Sequence, residues 1–484
     1  MGREEEIVKE RIKKIEELRK KKINPYPNKF DKKKSLVECS KSKSGSKVQT
    51  AGRLISKRDI GKIAFGKLLD FSGNMQVVFQ DKKTPEKVFD FFKSYIDIGD
   101  FIGIEGKTFK TKTGEYSILV TKLELLSKSI LPLPEKFHGL SDEEERLRKR
   151  YLDIMMNPEV KELFVKKYHF WKSVRDFLTK KGFMEVETPA LETMPGGADA
   201  RPFITHHNTF DIDVYLRISM GELWQKRLMV AGFEKIFELG RQFRNEGISS
   251  EHLQDYTQME FYWAYANYED GMKLVEEMYK YITKQTLGTL NFTSRGFKID
   301  LSKPWKKIDY ASEIKKQTGV DFFKSTAKQI EDKLTKLGIG FEPNLEKERL
   351  IDLLWKYCRK NIGGPAFLVN HPVEVSPLAK RNPKKPGVVE EFVIILAGSE
   401  LGKGYSELND PIDQENRFLR QQELRKAGDE EAQMHDKDFV EALKYGMPPT
   451  CGFGLSERLF AFLVDKPVRE CQIFPLMKPQ SEEK

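Results

Sequence analysis

The chain has 484 residues, with 84 lysines and arginines against 74 aspartates and glutamates, for a net charge of +10. Hydrophobic residues make up 39% and aromatics 11%, which excludes wholesale disorder, and the length suits two to four domains. No stretch approaches the ~20 apolar residues of a membrane helix. The N-terminus lacks an apolar secretory core. The four scattered cysteines, Cys39, Cys358, Cys451 and Cys471, form no CxxC pair, so a reducing cytoplasm is expected rather than a disulfide framework or a structural zinc site. The positive surplus fits either a solvated surface or a polyanionic partner, and composition does not choose between them.

Residues 4–22 read as a charged amphipathic helix with Ile7, Ile12, Ile15 and Leu18 as its apolar spine, stopped by Pro25 and Pro27. Five strand-like runs follow at 49–56, 64–70, 75–80, 101–109 and 116–125, separated by turn signals at Gly61, Ser72-Gly73-Asn74 and Thr113-Gly114. Such a series predicts a small closed barrel of the OB-fold type. Residues 131–150 read as a linker, stiffened by Pro132 and Pro134 and ending in a charged helix at 142–149. From residue 151 to the end the pattern is mixed, with helical runs at 160–180 and 271–287 and strands at 235–239 and 388–396. Residues 308–362 look helical, as an insertion would. Neither a GxxxxGK[ST] loop nor a GxGxxG after a strand is present. The fold class expected is α+β: a five-stranded barrel (residues 1–130), the linker, and a catalytic domain built on an antiparallel sheet flanked by helices.

Three clusters carry chemistry. Phe243-Arg244-Asn245-Glu246-Gly247 follows an apolar strand and leads through His252 and Tyr256 to Glu260-Phe261-Tyr262. An arginine fork at a strand end holds phosphate bidentately, although a surface ion pair looks the same in sequence. Glu400 and Glu407 lie within Ser399-Glu400-Leu401-Gly402-Lys403-Gly404-Tyr405-Ser406-Glu407, where carboxylates would hold Mg²⁺ or a cationic substrate. Cys451-Gly452-Phe453-Gly454-Leu455-Ser456-Glu457-Arg458 is a glycine-rich strand running into a helix, which permits close approach of a flat ligand.

In order and spacing these clusters resemble the class II aminoacyl-tRNA synthetases, and within them the lysyl-tRNA synthetases, from about residue 5 to Pro479. Gly182-Phe183-Met184-Glu185-Val186-Glu187-Thr188-Pro189 resembles motif 1, a dimer-interface element. Phe243 to Glu246 resembles motif 2, and the stretch around Arg458 resembles motif 3. The lysine-specific likeness rests on residues 195–203 and 205–208, on 375–380, on 405–411 and on Gly428-Asp429-Glu430-Glu431-Ala432.

The resemblance implies catalytic roles for Arg244, Glu246 and Arg458. Arg244 would hold the ATP α-phosphate and Arg458 the γ-phosphate, while Glu246, His252 and Tyr256 cradle the nucleotide and Glu400 is a Mg²⁺ ligand. Lysine would meet Gly197 and Glu222 at its α-amino group, and Glu260, Tyr262, Tyr405 and Glu407 around its side chain. In the barrel, Phe65, Gln76 and Glu115 match positions that read the anticodon's central uridine. The implied partners are ATP, lysine, tRNA(Lys) and a second copy of the chain, with no membrane. An ammonium leaves water only for a carboxylate, so acids at 260 and 407 suit a lysine pocket and would repel aspartate. The alternatives are an aspartyl- or asparaginyl-tRNA synthetase and a non-catalytic tRNA-binding paralogue.

Four departures from the family pattern stand out. Lys403 replaces the usual asparagine, and Val393, seven residues before Glu400, stands where a carboxylate is usual. The link Ser219-Met220-Gly221 is one residue longer than usual, and Gly452 to Arg458 is one shorter. One acid lost and one base gained changes the local charge by about two units, so the Lys403 ammonium would replace part of the charge of a Mg²⁺. A near-balanced total would then conceal a basic tRNA track along residues 1–130 and 140–150 and an acidic amino-acid pocket.

Overall fold

The computed structural model describes residues 2–134, 140, 142–198, 200–342, 345–426 and 432–480. Asp199 and residues 428–431, which belong to the lysine-specific stretches, lie outside the described residues, as does part of the 131–150 segment. The chain divides into two compact units, residues 1–141 and 142–484.

Among its described residues the first unit holds a closed five-stranded barrel. The strands are β1 (Lys47–Ile60), β2 (Ile63–Leu69), β3 (Asn74–Gln80), β4 (Phe101–Lys110) and β5 (Tyr116–Ser127). The order is β1-β2-β3-β5-β4, and β1 also pairs with β4 to close the ring. Strict alternation along β2 buries Ala64 and Leu68 and turns Phe65 and Lys67 outward, half-exposed. Gly61, at φ +62°, makes the β1–β2 turn that other residues disfavour. Helix α1 (Arg3–Lys20) packs with Ile15 and Leu18 inward, but the spine runs through Arg11 rather than Ile12, which is exposed. The reason is hydrogen bonding: the Arg11 guanidinium donates to the carbonyls of Ile98, Ser129 and Leu131 at 2.9, 3.2 and 3.0 Å. With its donors satisfied, an arginine buries at a helix position where a pattern of apolar residues predicts an isoleucine.

Among the described residues the second unit is built on an eight-stranded sheet. Its strands are β6 (Met184–Glu185), β7 (Lys235–Phe243), β8 (Asp255–Ala264), β9 (Lys306–Asp309), β10 (Ala366–Val369), β11 (Glu391–Leu396), β12 (Ser399–Ser406) and β13 (Thr450–Ser456). The order is β9-β10-β11-β12-β13-β8-β7-β6. All neighbours run antiparallel except the two edge pairs, β9 with β10 and β7 with β6. One face is covered by α2 (Pro158–Lys180) and α4 (Tyr268–Leu287), whose Phe170, Val174, Val275 and Tyr279 share a core with Phe261, Phe392 and Phe453 of the sheet. The other face carries the site, flanked by α3 (Glu222–Val230) and by α5 (Arg458–Leu463) at the end of β13. The stretch 308–362 opens in edge strand β9 and continues as helices Tyr310–Thr318, Ala327–Lys336 and Lys347–Arg359 around a core of their own. Among the described residues no helix is long and apolar enough to cross a membrane.

Candidate active site

Four central strands lay their pocket-facing residues in two rows. Register places Glu391, Tyr405, Gly452 and Tyr262 side by side across β11, β12, β13 and β8, and Val393, Lys403, Gly454 and Glu260 beside them in the next row. Period-two alternation makes both rows face the same way. The two glycines give the rows their depth. A Cβ at Gly452 would collide with the Glu407 carboxylate and the Tyr262 ring, and one at Gly454 would press on Glu260. The glycine-rich strand, expected to admit a flat ligand, therefore also makes room for the protein's own acids.

The cleft above these rows has a volume of about 360 Å³. Every residue anticipated in this unit lines it: Gly197, Glu222, Arg244, Glu246, His252, Tyr256, Glu260, Tyr262, Glu400, Tyr405, Glu407 and Arg458. At one end, Arg244 leaves the β7–β8 hairpin with its guanidinium over the Tyr256 ring, 5.8 Å from its centre, and its Nε donates to the Ile218 carbonyl at 3.2 Å. Arg458, the first residue of α5, meets Glu251 of the hairpin loop at 2.6 Å, and both contact the Ser399 hydroxyl. Burial opposes ionisation of Glu251, but Ser399 and Arg458 together hold its carboxyl below the usual range. His252 accepts or donates at Ser249, 2.7 Å away, and burial followed by Arg458 holds it neutral-leaning. Glu246 is exposed at the rim. The Glu400 carboxylate takes the Trp355 indole N–H at 2.6 Å.

At the other end the walls are acidic and dry. Glu222, Glu260 and Glu407 are all buried. Glu260 accepts from Gln258 at 2.6 Å, from the Met220 backbone N–H at 3.1 Å and from the Tyr262 hydroxyl at 3.3 Å. The Ser219-Met220-Gly221 link presents that Met220 N–H: Gly221 takes φ +67° ahead of α3, and Ser219 ties back to the Gly196 carbonyl at 2.9 Å. Burial pushes the carboxyls of Glu260 and Glu407 upward. Glu222 adds to the rise at both, and Lys226 opposes it at Glu407. The shortened run into Arg458 is absorbed at Glu457, whose buried carboxylate pairs with Lys167 at 2.7 Å while the next residue turns to the cleft.

Three site residues escaped the sequence. Glu251 sits in a loop whose path the sequence does not give. Glu391 shares a strand face with Val393, two residues on, and is 1% exposed. Lys226 lies between Glu222 and Glu407. Glu391 corrects the charge count: its carboxylate stands 3.3 Å from the Lys403 ammonium. Lys403 therefore has a counter-ion in the adjacent row, which offsets one of the two units of positive charge inferred from Val393 and Lys403.

In the barrel, the register sets Lys67 opposite Gln76 and Phe65 opposite Val78, so Phe65 and Gln76 share the outer face. Gln76 donates to the Ser117 hydroxyl at 2.9 Å, and exposed Glu115 stands two residues before Ser117. Phe65 is thus outward-facing, not part of the barrel's interior.

Residues 142–478 match the family described as tRNA synthetases class II (D, K and N), and residues 48–126 match the OB-fold nucleic acid binding domain. The chain belongs to the class II tRNA synthetases. Curated lysine–tRNA ligases resemble it along nearly their whole length. That of Thermosipho melanesiensis is 45% identical over 99% of this chain and 97% of its own. Those of Thermotoga maritima and Carboxydothermus hydrogenoformans are 44% and 43% identical, over 99% and 98% of this chain and 97% and 98% of theirs. In this synthetase the arginine end and the acidic end thus line one cleft.

Proposed function

We propose that the protein is a lysine–tRNA ligase: it joins lysine to ATP as lysyl-adenylate, releasing pyrophosphate, and passes the lysyl group to the 3′ end of tRNA(Lys). The observation that carries this reading is the buried carboxylate trio beside two arginines. Three acids at the closed end would repel aspartate and leave asparagine's amide facing unpaired charge. An amino acid with an ammonium at each end satisfies them. Gly197 and Glu222 hold its α-amino group, and Glu260, Tyr262, Tyr405 and Glu407 surround the side chain.

Its carboxylate, already a nucleophile, attacks the α-phosphorus and pyrophosphate leaves. The step asks for alignment and charge neutralisation and for no general base. Arg244 supplies the positive charge at the α-phosphate, and Arg458 at the γ-phosphate once the phosphate displaces Glu251. Glu246, His252 and Tyr256 frame the nucleotide.

Mg²⁺ fits the cleft in a limited way. Among the described residues no three ligands converge on one point, but Mg²⁺ typically takes one or two carboxylates plus substrate phosphates. Glu400 would hold it. Glu391, whose carboxylate lies 3.3 Å from Lys403, is another carboxylate lining the cleft. When bound, the ion neutralises phosphate charge.

The reading places the enzyme in the cytoplasm with its substrates. It also makes it a homodimer through the motif 1 region, where Met184 is an exposed apolar residue, with Leu191, Ile204 and Phe210 exposed on the segment that follows. Amino-acid-dependent ATP–pyrophosphate exchange across the twenty amino acids is the direct test. Lysine should be the best substrate by orders of magnitude. Exchange with aspartate or asparagine would overturn the reading, and no exchange would favour a non-catalytic tRNA-binding protein.

The barrel reads the anticodon through Phe65, Gln76 and Glu115. Stacking on an exposed aromatic contributes about 1–3 kcal/mol per base. Phe65→Ala should therefore raise the KM for tRNA about tenfold in aminoacylation and leave lysine-dependent exchange unchanged. An unaltered tRNA KM would remove Phe65 from the anticodon site.

A further inference from the structure

The least expected group beside the cleft is a buried cation. Lys226 is 1% exposed, and lysine is among the residues least often buried without a specific partner. Its ammonium lies 2.6 Å from Glu222 and 2.5 Å from Glu407. Glu222 is one turn earlier on α3, whereas Glu407 comes from the segment after β12, 181 residues away in the chain. The Tyr405 hydroxyl donates to the same Glu222 oxygen that receives Lys226. The Tyr405 and Phe439 rings close over the ammonium at 5.4 and 5.9 Å.

We propose that Lys226 is a positioning residue that sets the charge of the amino-acid pocket, tying Glu222 to Glu407 so that three carboxylates and one ammonium leave two negative charges for the two ammonium groups of lysine. This rests on the lysine-ligase reading above. Without an internal cation, two carboxylates sharing one dry site cannot both stay ionised, and one takes up a proton. That proton would sit on an oxygen meant to receive substrate. With Lys226 in place, Glu222 and Glu407 are held in fixed rotamers and the ionised form of Glu407 is favoured before lysine arrives, so the ordering cost precedes binding. Lys226 touches no reacting atom. It acts through the two acids.

The groups that face this cluster are Glu222 and Glu407 at contact distance, Tyr405 beside them, Glu260 with Tyr262 across the pocket, and Cys451 behind Glu407. Lys403 lies 5.9 Å from the Tyr405 ring and is paired with Glu391, so acids still outnumber cations here, and removing Lys226 has a definite sign: the carboxyls hold protons to higher pH. They must lose those protons to receive an ammonium.

The experiment compares wild type, Lys226→Met and Lys226→Arg in lysine-dependent ATP–pyrophosphate exchange from pH 6 to 9. Lys226→Met should raise the lysine KM about 100-fold at pH 7, leave the ATP KM within about twofold, and recover towards wild type as pH rises. Lys226→Arg keeps the charge and should keep the wild-type acid limb, whatever its KM; it also decides the matter should the methionine variant not fold. A methionine variant with unshifted lysine KM and pH profile overturns the proposal. So does a loss shared equally by lysine and ATP without pH dependence, or an arginine variant with a displaced acid limb. A wild type that exchanges with a different amino acid overturns the lysine reading itself.

Discussion

Arg244→Gln lowers lysine-dependent ATP–pyrophosphate exchange about 10²–10³-fold, mainly in kcat, with the fold intact. The guanidinium sits at the strand end with its Nε tied to the Ile218 carbonyl, so it is oriented before ATP arrives. Preorganised charge of this kind is worth about that factor when one donor is removed, because the negative charge it meets grows as the pentavalent phosphorus forms. Glutamine keeps one hydrogen-bond donor and loses the charge. Single-turnover adenylation separates the chemical step from binding. An unchanged rate would move the α-phosphate contact elsewhere, and circular dichroism checks that the variant folds.

Lysine binding at pH 7 releases protons, and the lysine KM falls by well over tenfold from pH 6 to pH 8. Burial pushes the carboxyls of Glu260 and Glu407 up to about 7 and about 8 in the empty cleft. An arriving ammonium favours the ionised form of each, so their protons leave as it enters. The sign follows directly. Below these values the acids are neutral and hold lysine weakly, and above them they are charged and hold it firmly. The ATP KM should not follow the same curve. Calorimetry in two buffers of different ionisation enthalpy counts the protons, and uptake, or no exchange at all, would show that the acids are already ionised. Glu407→Gln removes one of the two steps and raises the lysine KM steeply, since Lys226 then has a single counter-ion.

The sequence carried the barrel clearly, because alternation and turn glycines such as Gly61 and Gly114 are local signals. Its motifs single out twelve residues of the second unit, and all twelve line one cleft. What it hid is equally instructive. Lys226 is four residues from Glu222, a spacing that on most helices is a solvated ion pair worth little. Only the arrival of Glu407 from a distant strand makes it a buried node. Arg11 misled in the other direction, since carbonyls that satisfy a guanidinium leave no mark on hydrophobic periodicity. Glu391 carries no motif of its own, and it reaches the cleft because a strand face repeats every second residue from Val393.

Three acids around one internal ammonium also make the empty enzyme its own least settled form. Carboxyls confined in one buried pocket oppose one another's ionisation, Lys226 offsets part of that, and the ammonium groups of the substrate answer the rest. Lysine is then a structural component as well as a reactant: at a hundred times its dissociation constant it would add about 2.7 kcal/mol to the folding free energy. The durability of the folded chain would in this way report the supply of the amino acid it consumes.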